Sequence, residues 1–471
     1  MPTRKARART PRESASTPHT PRDMVTLLDR YIVGQHKAKR AVAIALRNRW
    51  RRNQVPEPLR SDITPANILM IGPTGVGKTE IARRVASFIG APFVKVEATR
   101  FTEVGYVGRD VEAMVRELVD SAVGLVRRER ASQVADRVRR LVLQELYAQL
   151  EPEAYAELWT PAGPGIKAPK GAKLTEARRK ALDAFAQRAL EGEYADRVLE
   201  LDLPIQSRVS MGDVFVPMGM TDVGQAMQEA LDSLVPRRSK RRKLTLEQAS
   251  DALTKMRTAE LIDDDEVVAE ALARTEETGV IFIDEIDKIA GPPSKSGPDV
   301  SREGVQRDLL PIVEGALVHT KYGPVRTDKV LFIAAGAFHL SKPSDLIPEL
   351  QGRFPVRVEL DPLTADDFVR ILTEPENALL RQYTALLAPD GLALEFTADA
   401  IRAMADAAYA VNSAGEDIGA RRLLTVLSLV LDEHLFESRP GGSKRIVIDA
   451  TAVHARMQPI RTRDDLSRYI L

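Results

Sequence analysis

The residues best suited to chemistry are Gly72-Pro73-Thr74-Gly75-Val76-Gly77-Lys78-Thr79. They match the spacing G-x-x-x-x-G-K-[ST] and lie between an apolar run, Asn67 to Ile71, and a helical pattern, Glu80 to Ile89. Glycines at this spacing let backbone N–H groups converge on phosphate oxygens, and the start of a helix adds a field that favours anions. Lys78 brings a positive charge to the β- and γ-phosphates, and Thr79 offers a hydroxyl to Mg²⁺. A second constellation, Val280-Ile281-Phe282-Ile283-Asp284-Glu285, is an apolar run that ends in two acids. Carboxylates at the end of a buried strand face the crevice in which ligands bind on parallel sheets. Asp284 is expected to hold Mg²⁺ through water, and Glu285 to orient and polarise the attacking water. Alone, such acids often only cap the next helix. Paired with the glycine loop they predict ATP hydrolysis.

For the two motifs to meet, each must be delivered by a buried strand. Asn67 to Ile71 runs into the glycine loop, Phe93 to Val96 reads as the next strand, and Val280 to Ile283 and Lys329 to Ala334 are further continuous apolar runs. Such runs mark a parallel sheet covered on both faces, and strands alternating with helices predict a doubly wound α/β core. Folding is expected to begin near Asp23, where Met24, Leu27, Leu28 and Tyr31 recur at helical spacing. About two hundred residues separate Thr79 from Val280, whereas a crossover and one further unit need only about fifty to sixty. Something of domain size is inserted. Residues 125–274 differ in character, with charged helical patterns (Glu129 to Leu150, Leu174 to Leu190), the turn-rich Pro161 to Gly171, and a basic run at Arg237, Arg238, Lys240, Arg241, Arg242 and Lys243. After Pro362 the pattern is helical again, in Ala365 to Leu372, Thr397 to Ala410 and Ile418 to Leu435, with Ile446 to Ile448 as one more strand. The expected organisation is a disordered basic tail (1–22), a core in two parts (23–124 and 275–361), an insertion (125–274) and a helical C-terminal domain (362–471).

Composition narrows the function classes. The 471 residues carry 68 Lys+Arg against 67 Asp+Glu, so no global field favours nucleic acid or anionic lipid. Cys is 0, which excludes disulfides, thiolate zinc sites and cysteine nucleophiles, and fits a reducing compartment; a cytoplasmic location is expected. The apolar run Val330 to Leu340 is far short of a membrane span. The N-terminus, with Arg4, Lys5, Arg7, Arg9, Arg12 and Arg22, has a transit-like composition, but its four prolines oppose the amphipathic helix that such a role needs.

Three weaker features remain. Gly105-Tyr106-Val107-Gly108 places an aromatic and a β-branched residue at a loop tip; it reads either as a surface that grips peptide or as a turn whose tyrosine packs back on the core. Arg353 lies between a strand and the helical part, and Arg421 and Arg422 open the last long helix; each reads as a transition-state arginine or as a surface ion pair. Leu466, Tyr469, Ile470 and Leu471 form an apolar end too short to bury itself.

Together, the segments Ile71 to Ala82, Lys95 to Gly108, Phe282 to Lys288, Gly297 to Glu314, Lys342 to Gly352, Gly419 to Leu423 and Leu466 to Leu471 resemble the AAA+ P-loop NTPases, and within them the HslU (ClpY) family of unfoldases. The resemblance runs from about Met24 to Leu471. It implies a homohexamer that hydrolyses ATP with Mg²⁺ and threads protein substrates through its pore into an HslV-type peptidase. It also implies that Val33 lines the adenine pocket and that Gly75, Val76, Gly77, Lys78, Thr79 and Glu80 wrap the phosphates. Glu349 would belong to the nucleotide site, Arg353 would reach a neighbouring subunit's γ-phosphate, and Arg421 would be a sensor arginine. Gly105 to Gly108 would be the pore loop, with Tyr106 pulling polypeptide, and Leu466, Tyr469, Ile470 and Leu471 would dock into the peptidase. A polar sensor at the end of the strand after the acidic pair is missing, since that strand runs Ala334-Ala335-Gly336-Ala337, and His339 is not assigned the role. A ClpX-like unfoldase is the nearest alternative, opposed by the absent cysteines and the long insert. A nucleic-acid motor has only the basic run and tail behind it.

Overall fold

The three apolar runs without alternation need cover on both faces, and the computed structural model buries them in one parallel sheet. It describes residues 20–63, 65–101, 110–159, 175–195, 197–204, 239–291, 302–415, 417–437 and 444–461. Among these the strands are, in chain order, β1 (Ile68–Ile71), β2 (Phe93–Glu97), β3 (Val198–Pro204), β4 (Ser239–Thr245), β5 (Val280–Asp284), β6 (Leu317–Thr320), β7 (Gly323–Arg326), β8 (Leu331–Gly336), β9 (Val356–Glu359), β10 (Leu392–Phe396) and β11 (Lys444–Ile448).

The main sheet has the order β2-β5-β8-β1-β9, with every pair parallel. β8 separates the strand that leads into the glycine loop from the strand that ends in the acidic pair. Both still finish at the same edge, because Ile71 is level with Gly336 and Ile283 with Ala334. β2 and β5 are neighbours, Glu97 opposite Asp284, although the inserted segment lies between them in the chain. Helices Pro21–Asp29, His36–Asn53 and Lys78–Phe88 cover the sheet through Leu28, Val42, Ile81 and Val85. The first helix begins at Pro21, slightly before the expected Asp23. Thr20 and Asp23 form a capping box there, and Pro21 occupies a first-turn position where its missing N–H costs nothing.

Residues 126–267 form one compact unit and the described parts of 1–125 and 268–471 another. The inserted unit has its own core, in which Tyr147, Phe185 and Tyr194 pack with Val142, Leu199 and Leu253. Part of the basic run lies in the strand β4, antiparallel to β3, and helix Leu246–Leu261 follows it directly. The C-terminal helices, Ala365–Thr373, Leu379–Leu387, Ala398–Ala414, Arg421–Glu437 and Ala450–Arg461, enclose a third core around Phe368, Met404, Leu427 and Val453. Ile446 to Ile448 does lie in a strand, β11, parallel to β10. No helix among the described residues is long and apolar enough to cross a membrane.

Candidate functional site

The glycine loop leaves β1 through conformations that side chains resist. Gly72, Gly75 and Gly77 have φ of +154°, +76° and +102°, and helix Lys78–Phe88 starts directly after Gly77. A Cβ on Gly75 would lie 2.0 Å from the Ile418 carbonyl oxygen, and one on Gly419 (φ +61°) would lie 2.5 Å from the Thr74 carbonyl oxygen. The Ala420 amide donates to the Gly75 carbonyl at 3.2 Å. The glycine loop thus touches the backbone that opens helix Arg421–Glu437.

Lys78 is buried and donates to the carbonyls of Gly72 (2.5 Å) and Pro73 (2.7 Å). Burial pushes its pKa below the ordinary lysine value; Asp284 and Asp287 oppose the shift and Arg421 adds to it. Thr79 and Asp284 meet across the sheet, with the Thr79 hydroxyl 3.4 Å from Asp284 Oδ2. Lys95, on β2, places its ammonium 2.9 Å from the same Oδ2. Glu285 is exposed, with its backbone in the left-handed region at φ +57°, an uncommon and strained conformation for a non-glycine residue at the end of a strand.

These groups border a cavity of about 1180 Å³ whose lining includes Lys78, Thr79, Glu80, Asp284, Glu285 and Arg421. Its charged lining comprises Lys78, Lys288, Arg302 and Arg421 against Glu80, Asp284, Glu285, Asp287 and Asp345. Glu80 is engaged by Arg83 and Arg84, each at 2.7 Å. Four lining cations face five lining carboxylates, and Arg83, Arg84 and Lys95 offset Glu80 and Asp284 from outside the lining. No cluster of three or more His, Cys, Asp or Glu that could hold a metal alone occurs among the described residues. A hydroxyl and a single carboxylate suit Mg²⁺, which takes its remaining ligands from phosphate and water. Ile371, Leu379, Ile418 and Leu424 give the cavity an apolar wall suited to a base or sugar face.

Other residues expected to take part lie elsewhere. Val33 is buried, and Val76 packs with Ile32 in the core beneath the loop. Glu349 and Arg353 are on the short helix Pro348–Arg353, both exposed and outside the cavity lining. Arg353 pairs with Glu314 at 2.7 Å, and its carbonyl accepts from Asn67 Nδ2 at 3.0 Å. Gly105, Tyr106, Val107 and Gly108, and Leu466, Tyr469, Ile470 and Leu471, lie outside the described residues.

Sequence reasoning passed over three contributors. Lys95 is a lone charge in an apolar strand, visible as an anomaly but without an assignable partner. Gln35, at φ +55°, clasps Asp361: its Nε2 donates to the Asp361 carbonyl at 2.8 Å and its Oε1 accepts from the Asp361 amide at 3.1 Å, fixing the turn that holds Val33. Gly419 was visible only as the first residue of the segment Gly419 to Leu423, without an assignable partner.

The chain is similar to known proteins over nearly its whole length. Residues 68–156 match the ATPase family associated with various cellular activities (AAA), and residues 212–357 match the AAA domain (Cdc48 subfamily). The chain is 51% identical over 455 residues to the ATP-dependent protease ATPase subunit HslU of Persephonella marina, covering 96% of this chain and 98% of that one. It is 52% identical over 461 residues to HslU of Thermotoga maritima, with the same coverage. It is 50% identical over 468 residues to the ATP-dependent protease ATPase subunit ClpY of Bacillus subtilis, covering 96% and 99%.

Proposed function

The chain belongs to the HslU (ClpY) family of AAA ATPases, and from that premise we propose that it is an ATP-hydrolysing protein unfoldase serving an HslV-type peptidase. The observation that carries the ATPase reading is the approach of Thr79 to Asp284, 205 positions apart in the chain, in a cavity also lined by Lys78, Glu285 and Arg421.

In the proposed mechanism the amides of the Gly72 to Thr79 loop bind the phosphates, and Lys78 exchanges its contacts with the Gly72 and Pro73 carbonyls for phosphate oxygens. Thr79 and Asp284 would hold Mg²⁺, which would supply charge neutralisation at the phosphates. Glu285, presented by its left-handed backbone, orients water for in-line attack. Arg421 meets the nucleotide from the C-terminal helical part, and the Gly75–Gly419 contact passes loop movements to that part. Arg353 is proposed to act on a neighbouring subunit's nucleotide in a homohexamer. Its outward position, away from the cavity of its own chain, suits that role. Tyr106 would then grip substrate and Leu466 to Leu471 would dock the peptidase, in a cytoplasmic complex.

A nucleic-acid motor is less well supported. Arg241 faces Glu200 and Asp202 across the β3–β4 hairpin, and Lys243 faces Glu200, so these charges are partly balanced within it. The discriminating experiment mixes the purified protein with an HslV-type peptidase and an unstructured protein, with and without ATP. Degradation that requires both ATP and this chain is expected. Degradation equal without ATP would overturn the reading.

A further inference from the structure

Asp284 is asked to bind a metal ion, yet its Oδ2 already faces a cation. The Lys95 ammonium lies 2.9 Å from that oxygen, and the Thr79 hydroxyl approaches the same oxygen at 3.4 Å. This follows from register: Glu97 is level with Asp284 and Lys95 with Phe282. Lys95 and Asp284 are therefore diagonal neighbours on one face of the sheet, a separation that a long side chain spans. The pair is only partly exposed, with side chains 36% and 17% accessible, so solvent screens it incompletely.

An ammonium 2.9 Å from Oδ2 and a divalent cation held on the same carboxylate, directly or through a water, would repel each other strongly. We propose that Lys95 is a positioning residue that holds Asp284 as a stand-in cation and is exchanged for the metal ion, so that metal binds Asp284 stably only when a nucleotide's phosphates supply further ligands. The proposal rests on the nucleotide-site reading above. It gives the site an order: metal without nucleotide is refused, and Asp284 stays in place between nucleotides. Lys95 also borders a small cavity of about 200 Å³ lined by Glu97, Arg100 and Glu117, into which its side chain can turn, with Arg100 already paired to Glu97 there at 2.7 Å.

The test titrates Mn²⁺ into the full-length protein and reads free Mn²⁺ by electron paramagnetic resonance, with and without ADP. The wild type is expected to bind Mn²⁺ tightly only when ADP is present. Lys95→Met is expected to bind Mn²⁺ without nucleotide roughly tenfold more tightly than the wild type; Lys95→Arg should restore the refusal, and adding Asp284→Asn to Lys95→Met should abolish the gain. ADP-dependent Mn²⁺ binding retained by Lys95→Met reports that the variant is folded. If Lys95→Met and the wild type bind Mn²⁺ equally without nucleotide while both respond to ADP, the exchange role is overturned and the nucleotide site stands. If the wild type shows no ADP-dependent Mn²⁺ binding, the nucleotide-site reading fails, and this proposal with it.

Discussion

Gly419→Ala perturbs the contact between the glycine loop and the C-terminal helices without replacing any residue given a chemical role. Gly419 has φ +61°, and a Cβ there would lie 2.5 Å from the Thr74 carbonyl oxygen and 2.7 Å from the Gly75 carbonyl carbon, where ordinary contact begins at 3.4 Å. Both obstacles are backbone, so the loop itself must move by close to an ångström. Misplacing binding groups by about 1 Å costs on the order of 10²-fold, and the left-handed strain adds roughly 1–3 kcal/mol to the cost of folding. ATP affinity should fall about 10- to 100-fold, equivalent to about 1.4–2.7 kcal/mol. Equilibrium titration with a fluorescent ATP analogue reads it. Gly192→Ala is the control for strain alone, because Gly192 has φ +86° with nothing within 4 Å of its added Cβ; it should leave affinity unchanged. Wild-type affinity in Gly419→Ala would refute the argument that this contact sets the loop's position.

Two further predictions concern stability. Arg49 is buried and donates to the carbonyls of Glu277, Thr278, Gly279 and Lys329 at 2.7–3.1 Å, just before β5 and β8 begin; Arg49→Met should destabilise by about 3–4 kcal/mol, read as a lower Tm that bound ATP partly restores. In the inserted unit, burial and a hydrogen bond to Glu151 push the Tyr194 phenol up to about 12. A raised pKa in the folded state means this contribution is complete below pH 10 and is lost as pH climbs through about 12. Thermal melts between pH 9 and pH 12 should therefore decline more steeply for the wild type than for Tyr194→Phe, and parallel declines would contradict the assignment.

What could be read from the sequence was what is local. The glycine loop, the acidic pair and the buried strands that carry them each declare themselves within a dozen residues, because phosphate binding needs those residue types in one short segment. β9 was not legible: Val356-Arg357-Val358-Glu359 is a four-residue edge strand beside Pro355, with too few positions for a pattern. The β6–β7 hairpin is equally short. Arg241 and Lys243 read as a basic run because their acidic partners, Glu200 and Asp202, are distant in sequence. Lys95 and Gly419 escaped for the same reason. Their meaning lies in a neighbour, Asp284 or Gly75, that only strand order and chain return bring close.

The central claim is that Lys78, Thr79, Asp284 and Glu285 work as one ATP-hydrolysing site. The most direct measurement compares ATP binding and turnover in Glu285→Gln, which keeps the shape of Glu285 and removes its carboxylate. Binding should match the wild type while turnover falls by about 10²–10⁴-fold. Turnover equal to the wild type would contradict the account.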